Sequence, residues 1–289
     1  MKNLPLVSVI ILTYNRYKLL KEAMESVLHQ TYKNFEIIIC DDGSTDYTED
    51  LVKECVRKHP QKIKYCRYPH TGSLSVGRNK GIKISSGKYC MFLDDDDLFT
   101  KNSIKEHVKY MERNIDIGYV FSDTKQISID KTRIMQSLEE KHNPKLEAML
   151  SNFILHVIIN ALKRYWPFKT VTRKWNRKAY SSGAKTIKYL RKKGFSKTAL
   201  AEAWKKGDFI IGAIGSVMFR KSALDDLGGF DENLSVHEDF EIYTRIATKF
   251  KIGYINKVLY IRRRIHGSAM KREGAEFSLK IIRENIAKI

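Results

Sequence analysis

Four consecutive aspartates, Asp94-Asp95-Asp96-Asp97, directly follow the apolar run Tyr89-Cys90-Met91-Phe92-Leu93. Carboxylates crowded at the end of a buried strand repel one another, and a divalent cation is the simplest relief. Hard oxygen ligands favour Mg²⁺ or Mn²⁺, ions that usually accompany phosphate. A solvated turn that caps the next helix needs only one of the four. A second acidic stretch, Asp41-Asp42-Gly43-Ser44-Thr45-Asp46, follows another apolar run. Asp42 reads as a turn or cap residue or, beside Tyr14, as the acceptor for a uracil N3–H while the base stacks on the phenol. Thr13-Tyr14-Asn15-Arg16 ends a third apolar run. In Gly77-Arg78-Asn79-Lys80-Gly81, Arg78 suits bidentate hydrogen bonding to a diphosphate, the plainer reading being an exposed helical arginine.

The elements that must position these residues alternate along the chain. Residues 7–12 form a continuous apolar, β-branched run, the pattern of a parallel strand buried on both faces. Helical spacing follows over 17–28 (Leu19, Leu20, Ala23, Met24, Val27, Leu28), then a strand over 35–40. Strand, helix and strand in about 35 residues make a βαβ unit. The alternation continues with helices over 47–58, 73–85 and 101–113 and strands over 62–68, 88–93 and 117–122. This order predicts an α/β fold with an open, mostly parallel sheet and helices on both faces, whose ligands sit beyond the carboxyl ends of the strands. All the acidic runs fall at those ends.

Taken together, Val7 to Arg16, Asp41 to Asp46, Gly77 to Gly81 and Phe92 to Asp97 resemble the family-2 glycosyltransferases of the GT-A fold, in order and spacing. The resemblance resumes in Gly215-Ser216-Val217-Met218-Phe219-Arg220, Gly228-Gly229-Phe230-Asp231, His237-Glu238-Asp239-Phe240 and residues 260–268. It covers about residues 5–130 and 208–268. It implies an inverting, metal-dependent transfer of a sugar from a nucleotide-sugar, most often UDP-linked, to a glycan or lipid-linked acceptor in cell-surface polysaccharide biosynthesis. On the family pattern Tyr14 and Asp42 hold the base, with Thr13 and Arg16 on the same donor rim. Asp94 and Asp95 lie near ribose and metal, Asp96 is the main metal ligand, and His266 reaches the metal or diphosphate. Mn²⁺ or Mg²⁺ then neutralises the leaving group together with Arg78. Inversion by one displacement needs a base on the face opposite the leaving group; Asp239 holds the position the family uses, with Glu238 on the acceptor side. Asp239 also opens the amphipathic run 240–250, where helix capping is the plainer role. No Gln-x-x-Arg-Trp element occurs, which predicts one sugar per binding event.

Composition narrows the remaining classes. The 289 residues carry 53 Lys and Arg against 33 Asp and Glu, a net charge of +20, and 43% are hydrophobic. That is enough apolar material for a core, so disorder is excluded, and the charge calls for an anionic partner. The excess is local: residues 141–207 hold 17 Lys and Arg and only two acids, Glu147 and Glu202. The chain therefore divides into a donor half (1–136), a basic, mainly helical insertion on the acceptor or membrane side (137–207) and a catalytic half with a C-terminal helix (208–289). Within the insertion, an apolar stretch over 153–162 runs into Lys163, Arg164, Tyr165 and Trp166, which suits a helix lying on an anionic bilayer as well as one packed on the domain. No stretch reaches the roughly 18 apolar residues of a spanning helix, and Cys40, Cys55, Cys66 and Cys90 lack C-x-x-C spacing and read as reduced core thiols. These features predict a cytoplasmic protein, peripheral on the inner membrane face. The competing readings are a nucleotidyltransferase on a related fold and a nucleic-acid- or membrane-binding protein. The first leaves Glu238-Asp239 unexplained; for nucleic acid, the acidic rim repels phosphate unless metal is bound, so no nucleic-acid partner is expected.

Overall fold

The computed structural model describes residues 4–129 and 213–265; the insertion at 137–207, the C-terminal helix and His266 lie outside the described residues. The predicted alternation is present: β1 (Val7–Thr13), α1 (Tyr17–Leu28), β2 (Phe35–Asp41), α2 (Thr48–Lys58), β3 (Ile63–Arg67), α3 (Leu74–Ile84), β4 (Tyr89–Asp94), β5 (Leu98–Phe99), α4 (Ser103–Arg113) and β6 (Ile117–Ile129). After the insertion come β7 (Val217–Arg220), α5 (Lys221–Asp225), α6 (Glu238–Lys249) and β8 (Lys251–Ile265). They build one eight-stranded sheet in the order β3-β2-β1-β4-β7-β6-β8-β5. Pairings β2–β3, β1–β2, β1–β4 and β6–β8 are parallel, whereas β7 and β5 run against their neighbours. The sheet is thus mixed, with its parallel part where the acidic motifs lie.

Period-two alternation sends each strand's side chains into two separate cores. Val7, Val9, Ile11, Ile37, Ile39, Met91 and Leu93 face one side, where α1 covers them with Leu20, Ala23, Met24 and Val27 and α4 with Ile104, Val108 and Met111. Ile10, Ile38, Cys40, Cys90 and Phe92 face the other, met by Ile82 of α3 and by Ile242, Tyr243 and Ile246 of α6. Each such side chain contributes about 1.5–3 kcal/mol through burial, and continuous apolar strands are what two-sided burial requires. All four cysteines are free, with Cys40 and Cys90 buried. Among the described residues, no helix is long and apolar enough to cross a membrane.

The strand order places the site. From β1 the chain moves outward through β2 to β3, then returns to lay β4 on the other side of β1, so the order reverses there. In register, Thr13 pairs with Asp41 and Leu12 with Asp94, which puts the motif-bearing ends of three strands at one rim beside the switch point. On the far side, a 3₁₀ turn at Ile214–Ser216 leads into β7. Gly215 there lies directly against the Tyr260 ring, with no space for a Cβ. Gly215→Ala is expected to destabilise the protein by about 1–3 kcal/mol, the usual cost of overpacking. Urea unfolding measures it, and an unchanged midpoint would contradict the packing.

Candidate active site

Three of the four aspartates converge. One carboxylate oxygen each from Asp94, Asp96 and Asp97 lies within 4.8 Å of the others. Asp95 points elsewhere: its Oδ2 accepts from Thr13 Oγ1 at 2.8 Å and its Oδ1 from Arg16 Nη1 at 3.2 Å. Thr13 and Arg16, expected on the donor rim, therefore hold the acidic segment in place through Asp95, and Arg16 also reaches Asp96 Oδ2 at 3.5 Å. The cause is local geometry. A turn closed by Asp97 N–H on Asp94 O at 3.0 Å gathers Asp94, Asp96 and Asp97 on one side and turns Asp95 to the other.

Asp97, which the sequence reading left without a role, is fixed from β8. Tyr260 Oη donates to its Oδ2, Arg263 N–H donates to its Oδ1 at 2.6 Å, and the Arg263 guanidinium holds Asp96 O and the Glu22 carboxylate. Burial pushes the Asp97 carboxyl up to about 7, with the charge of Asp94 adding to the effect. Burial likewise raises Asp95 to about 6, against the pull of Arg16, and raises Asp94, against the pull of Arg78. The acids outnumber the arginines beside them in a site that disfavours their charge, and hard carboxylate oxygens at this spacing suit Mn²⁺ or Mg²⁺. The residues fit the ion.

Arg78 is no exposed helical arginine. It is 2% exposed, donates Nη1 to Glu238 Oε1 at 2.5 Å, and has Nη2 3.7 Å from Asp94 Oδ1. Its Cζ lies 5.3 Å over the Phe230 ring, and its buried Nε has no partner. Glu238, expected on the acceptor side, is instead turned inward onto this guanidinium and is 7% exposed, because a buried arginine requires a countercharge. Asp239, the next residue, is half-buried and accepts its own helix's Phe240 N–H at 2.7 Å. It does not cap α6. The cap position is His237, in the left-handed region at φ 63°, a costly backbone state for a non-glycine residue and one that gathers at functional sites. Burial raises the Asp239 carboxyl above the ordinary aspartate range, Glu238 adds to this, and Arg78 opposes it.

The fourth group gathers at the end of β2. Tyr14 stacks on His70 with centroids 4.1 Å apart and planes 19° from parallel, so one face of the phenol is already covered. Asp42 accepts from Thr71 N–H at 2.7 Å, Thr71 Oγ1 at 3.0 Å and Gly72 N–H at 2.8 Å, and lies 2.9 Å from His70 Nδ1. These contacts come close to filling the acceptor capacity of one carboxylate. In the described state Asp42 thus shapes the 70–72 loop, a loop the sequence reading did not single out. Asn15, at φ 52°, ties β1 to this corner by accepting Thr45 N–H at 2.7 Å.

The structure therefore brings Thr13, Arg16, Asp94, Asp95, Asp96, Arg78, Glu238 and Asp239 to one rim, with Tyr14 and Asp42 beside it. Chemically, this rim offers a cluster of carboxylates that suits a divalent ion and, next to the partner of a buried guanidinium, a further carboxyl of raised proton affinity. A family model described as glycosyl transferase family 2 matches residues 8–163, more than half of the chain, and one described as glycosyltransferase like family 2 matches residues 142–260. An uncharacterized glycosyltransferase of Rickettsia bellii is 46% identical over 125 residues, which is 43% of this chain and 17% of that protein. An Escherichia coli protein, UDP-Glc:alpha-D-GlcNAc-diphosphoundecaprenol beta-1,3-glucosyltransferase WfaP, is 41% identical over 109 residues, 37% of this chain and 41% of its own. The chain thus matches less than half the length of these relatives. Among solved structures, TarS of S. aureus in complex with UDP-GlcNAc is similar in fold, with a TM-score of 0.60 at 19% identity over 96% of this chain and 65% of that one. A mannosyltransferase of Pyrobaculum calidifontis in complex with GDP-Man and Mn²⁺ gives 0.57 at 16% identity, over 98% of this chain and 61% of that one.

Proposed function

The chain belongs to glycosyl transferase family 2, and from that premise we propose that it transfers one sugar per binding event, with inversion, from a UDP-linked donor to a hydroxyl of a lipid-linked glycan. The observation that carries this reading is Arg78, held between Asp94 of the carboxylate cluster and Glu238, the residue directly before Asp239. Asp94, Asp96 and Asp97 would hold the cation, which when bound would supply Lewis-acid neutralisation of the leaving diphosphate. Tyr14 and His70 offer the base a stacking surface, and Thr13 and Arg16 keep Asp95 from straying. Asp239 takes the proton of the acceptor hydroxyl as its oxygen attacks the anomeric carbon, and the bond to the diphosphate breaks on the opposite face. A lipid-linked acceptor is supported by a relative whose own acceptor is a diphosphoundecaprenol-linked sugar, and by the basic composition of residues 141–207, which suits a diphosphate or an anionic membrane surface. On this reading the enzyme works at the cytoplasmic face of the membrane.

The test is thermal stabilisation by UDP, GDP, dTDP and CDP with and without Mn²⁺. A ligand at 100 times its Kd adds about 2.7 kcal/mol, and the wild type is expected to show this for UDP only with the ion. Asp96→Ala is expected to lose it, and an equal shift in that variant would remove Asp96 from the site. A second expectation concerns Mn²⁺ alone. A protonated carboxyl must release its proton to take a metal, and Asp97 holds its proton up to about 7. Mn²⁺ affinity should therefore rise as pH rises through 7, with proton release on binding. Calorimetry in buffers of different ionisation enthalpy reads both, and an affinity already level below pH 6 would contradict the assignment.

A further inference from the structure

Two consecutive residues of α3 reach across to the 229–238 segment that leads into α6. Asn79 pairs with that backbone in both directions: its Oδ1 accepts Phe230 N–H at 2.8 Å and its Nδ2 donates to Phe230 O at 2.9 Å, with Glu232 Oε1 at 2.8 Å. Arg78 lies over the Phe230 ring and holds Glu238. Gly229 makes the approach possible, because a Cβ there would stand 2.5 Å from Asn79 Oδ1. The other side of α3 is seated just as closely. A Cβ on Gly77 would lie 2.5 Å from Tyr68 Oη and 3.0 Å from Leu12, and one on Gly81 would run into Ile10. The helix is therefore a fixed spacer between β1 and the start of α6.

We propose that Arg78 and Asn79 are positioning residues that hold the start of α6, and with it Asp239, in register with the Asp94 end of the sheet. The proposal rests on the reading of Asp239 as the base. The amide of asparagine suits this place because its oxygen accepts the N–H of Phe230 while its nitrogen donates to the C=O of the same residue; aspartate cannot donate, and an aliphatic residue does neither. The arrangement also explains why the guanidinium is buried rather than presented to solvent. Its fork spans a residue of the metal cluster and the residue that precedes the base, so the two reacting sides share one rigid element. A displacement of about 1 Å in such a constellation costs on the order of 10²-fold in rate.

The experiment compares wild type, Asn79→Ala and Glu238→Gln, the second keeping an acceptor for Arg78 while removing the charge. Calorimetry with UDP and Mn²⁺ gives Kd, UDP release from a panel of UDP-sugars gives kcat, and hydrogen exchange reads the Phe230 amide without ligand or activity. In Asn79→Ala, exchange at Phe230 is expected to rise while the amides of β1 and β4 keep their protection. Kd should stay within about twofold and kcat fall by at least about tenfold, and Glu238→Gln should show the same split. Unchanged exchange at Phe230 overturns the proposal, as does a Kd loss that matches the kcat loss, which would place Arg78 and Asn79 on the donor directly. Should Asn79→Ala fail to give a cooperative melt, the split in Glu238→Gln decides. Wild-type protein that binds no nucleoside diphosphate refutes the functional reading instead, and the exchange measurement still decides whether α3 holds the segment.

Discussion

Asp239→Asn should leave the affinity for UDP and Mn²⁺ unchanged and lower turnover by about 10²–10⁴-fold, the range a general base contributes. The amide keeps the shape and still accepts Phe240 N–H, which Asp239 does at 2.7 Å, so the start of α6 has no reason to move. What disappears is the capacity to hold the acceptor's proton. Wild-type turnover should also fall on the acid side at a higher pH than an ordinary aspartate would dictate. The sign follows from the environment: burial and the charge of Glu238 raise the Asp239 carboxyl, Arg78 only partly opposes them, and only the ionised form acts as a base. A pH series of turnover at saturating donor checks both points. Near-normal activity of Asp239→Asn would remove it from the role of base, and an acid limb at or below the ordinary aspartate range would remove the electrostatic account.

Whether such a site is readable from sequence depends on how local its causes are. Strands β1, β2 and β4 were legible because burial on both faces imposes unbroken apolar runs, and the switch point followed from their order. The aspartates were legible as a group. Their division was not, since the turn at Asp94–Asp97 sends Asp95 toward Thr13 and Arg16 and leaves Asp97 to Tyr260 and Arg263. Four identical residues carry no mark of which way each will face. Strand β6 was expected to stop at 122 but runs through Ile129, because pairing with β8 continues past Asp123, and a polar segment can be held in a ladder by its partner rather than by its own pattern. The two-residue strand β5 gave no pattern to read. The roles of Glu238 and Asn79 come from contacts across about 150 residues of chain, where neither periodicity nor spacing operates. Asn79 stands inside a motif whose arginine carries the more obvious chemistry; the glycines around it are the signal that this helix packs unusually close to its neighbours.

The same long-range contacts set the largest expected loss of stability. Arg78 is the cation among three acids, Asp94, Glu238 and Asp239, and all four interact electrostatically where α3 meets the start of α6. Arg78→Met keeps much of the apolar stem but leaves Glu238, 7% exposed, without its countercharge. Breaking a buried pair in this way costs about 3–5 kcal/mol. The double variant Arg78→Met with Glu238→Gln removes the orphaned charge and should recover a large part of the loss, because a neutral amide costs far less to bury than a carboxylate. Urea unfolding of the wild type, both single variants and the double variant at pH 8, where ordinary carboxylates are ionised, isolates the interaction as a double-mutant cycle. Strict additivity at pH 8 would mean that the two residues are merely adjacent. A large coupling energy is what a buried ion pair between α3 and the start of α6 requires.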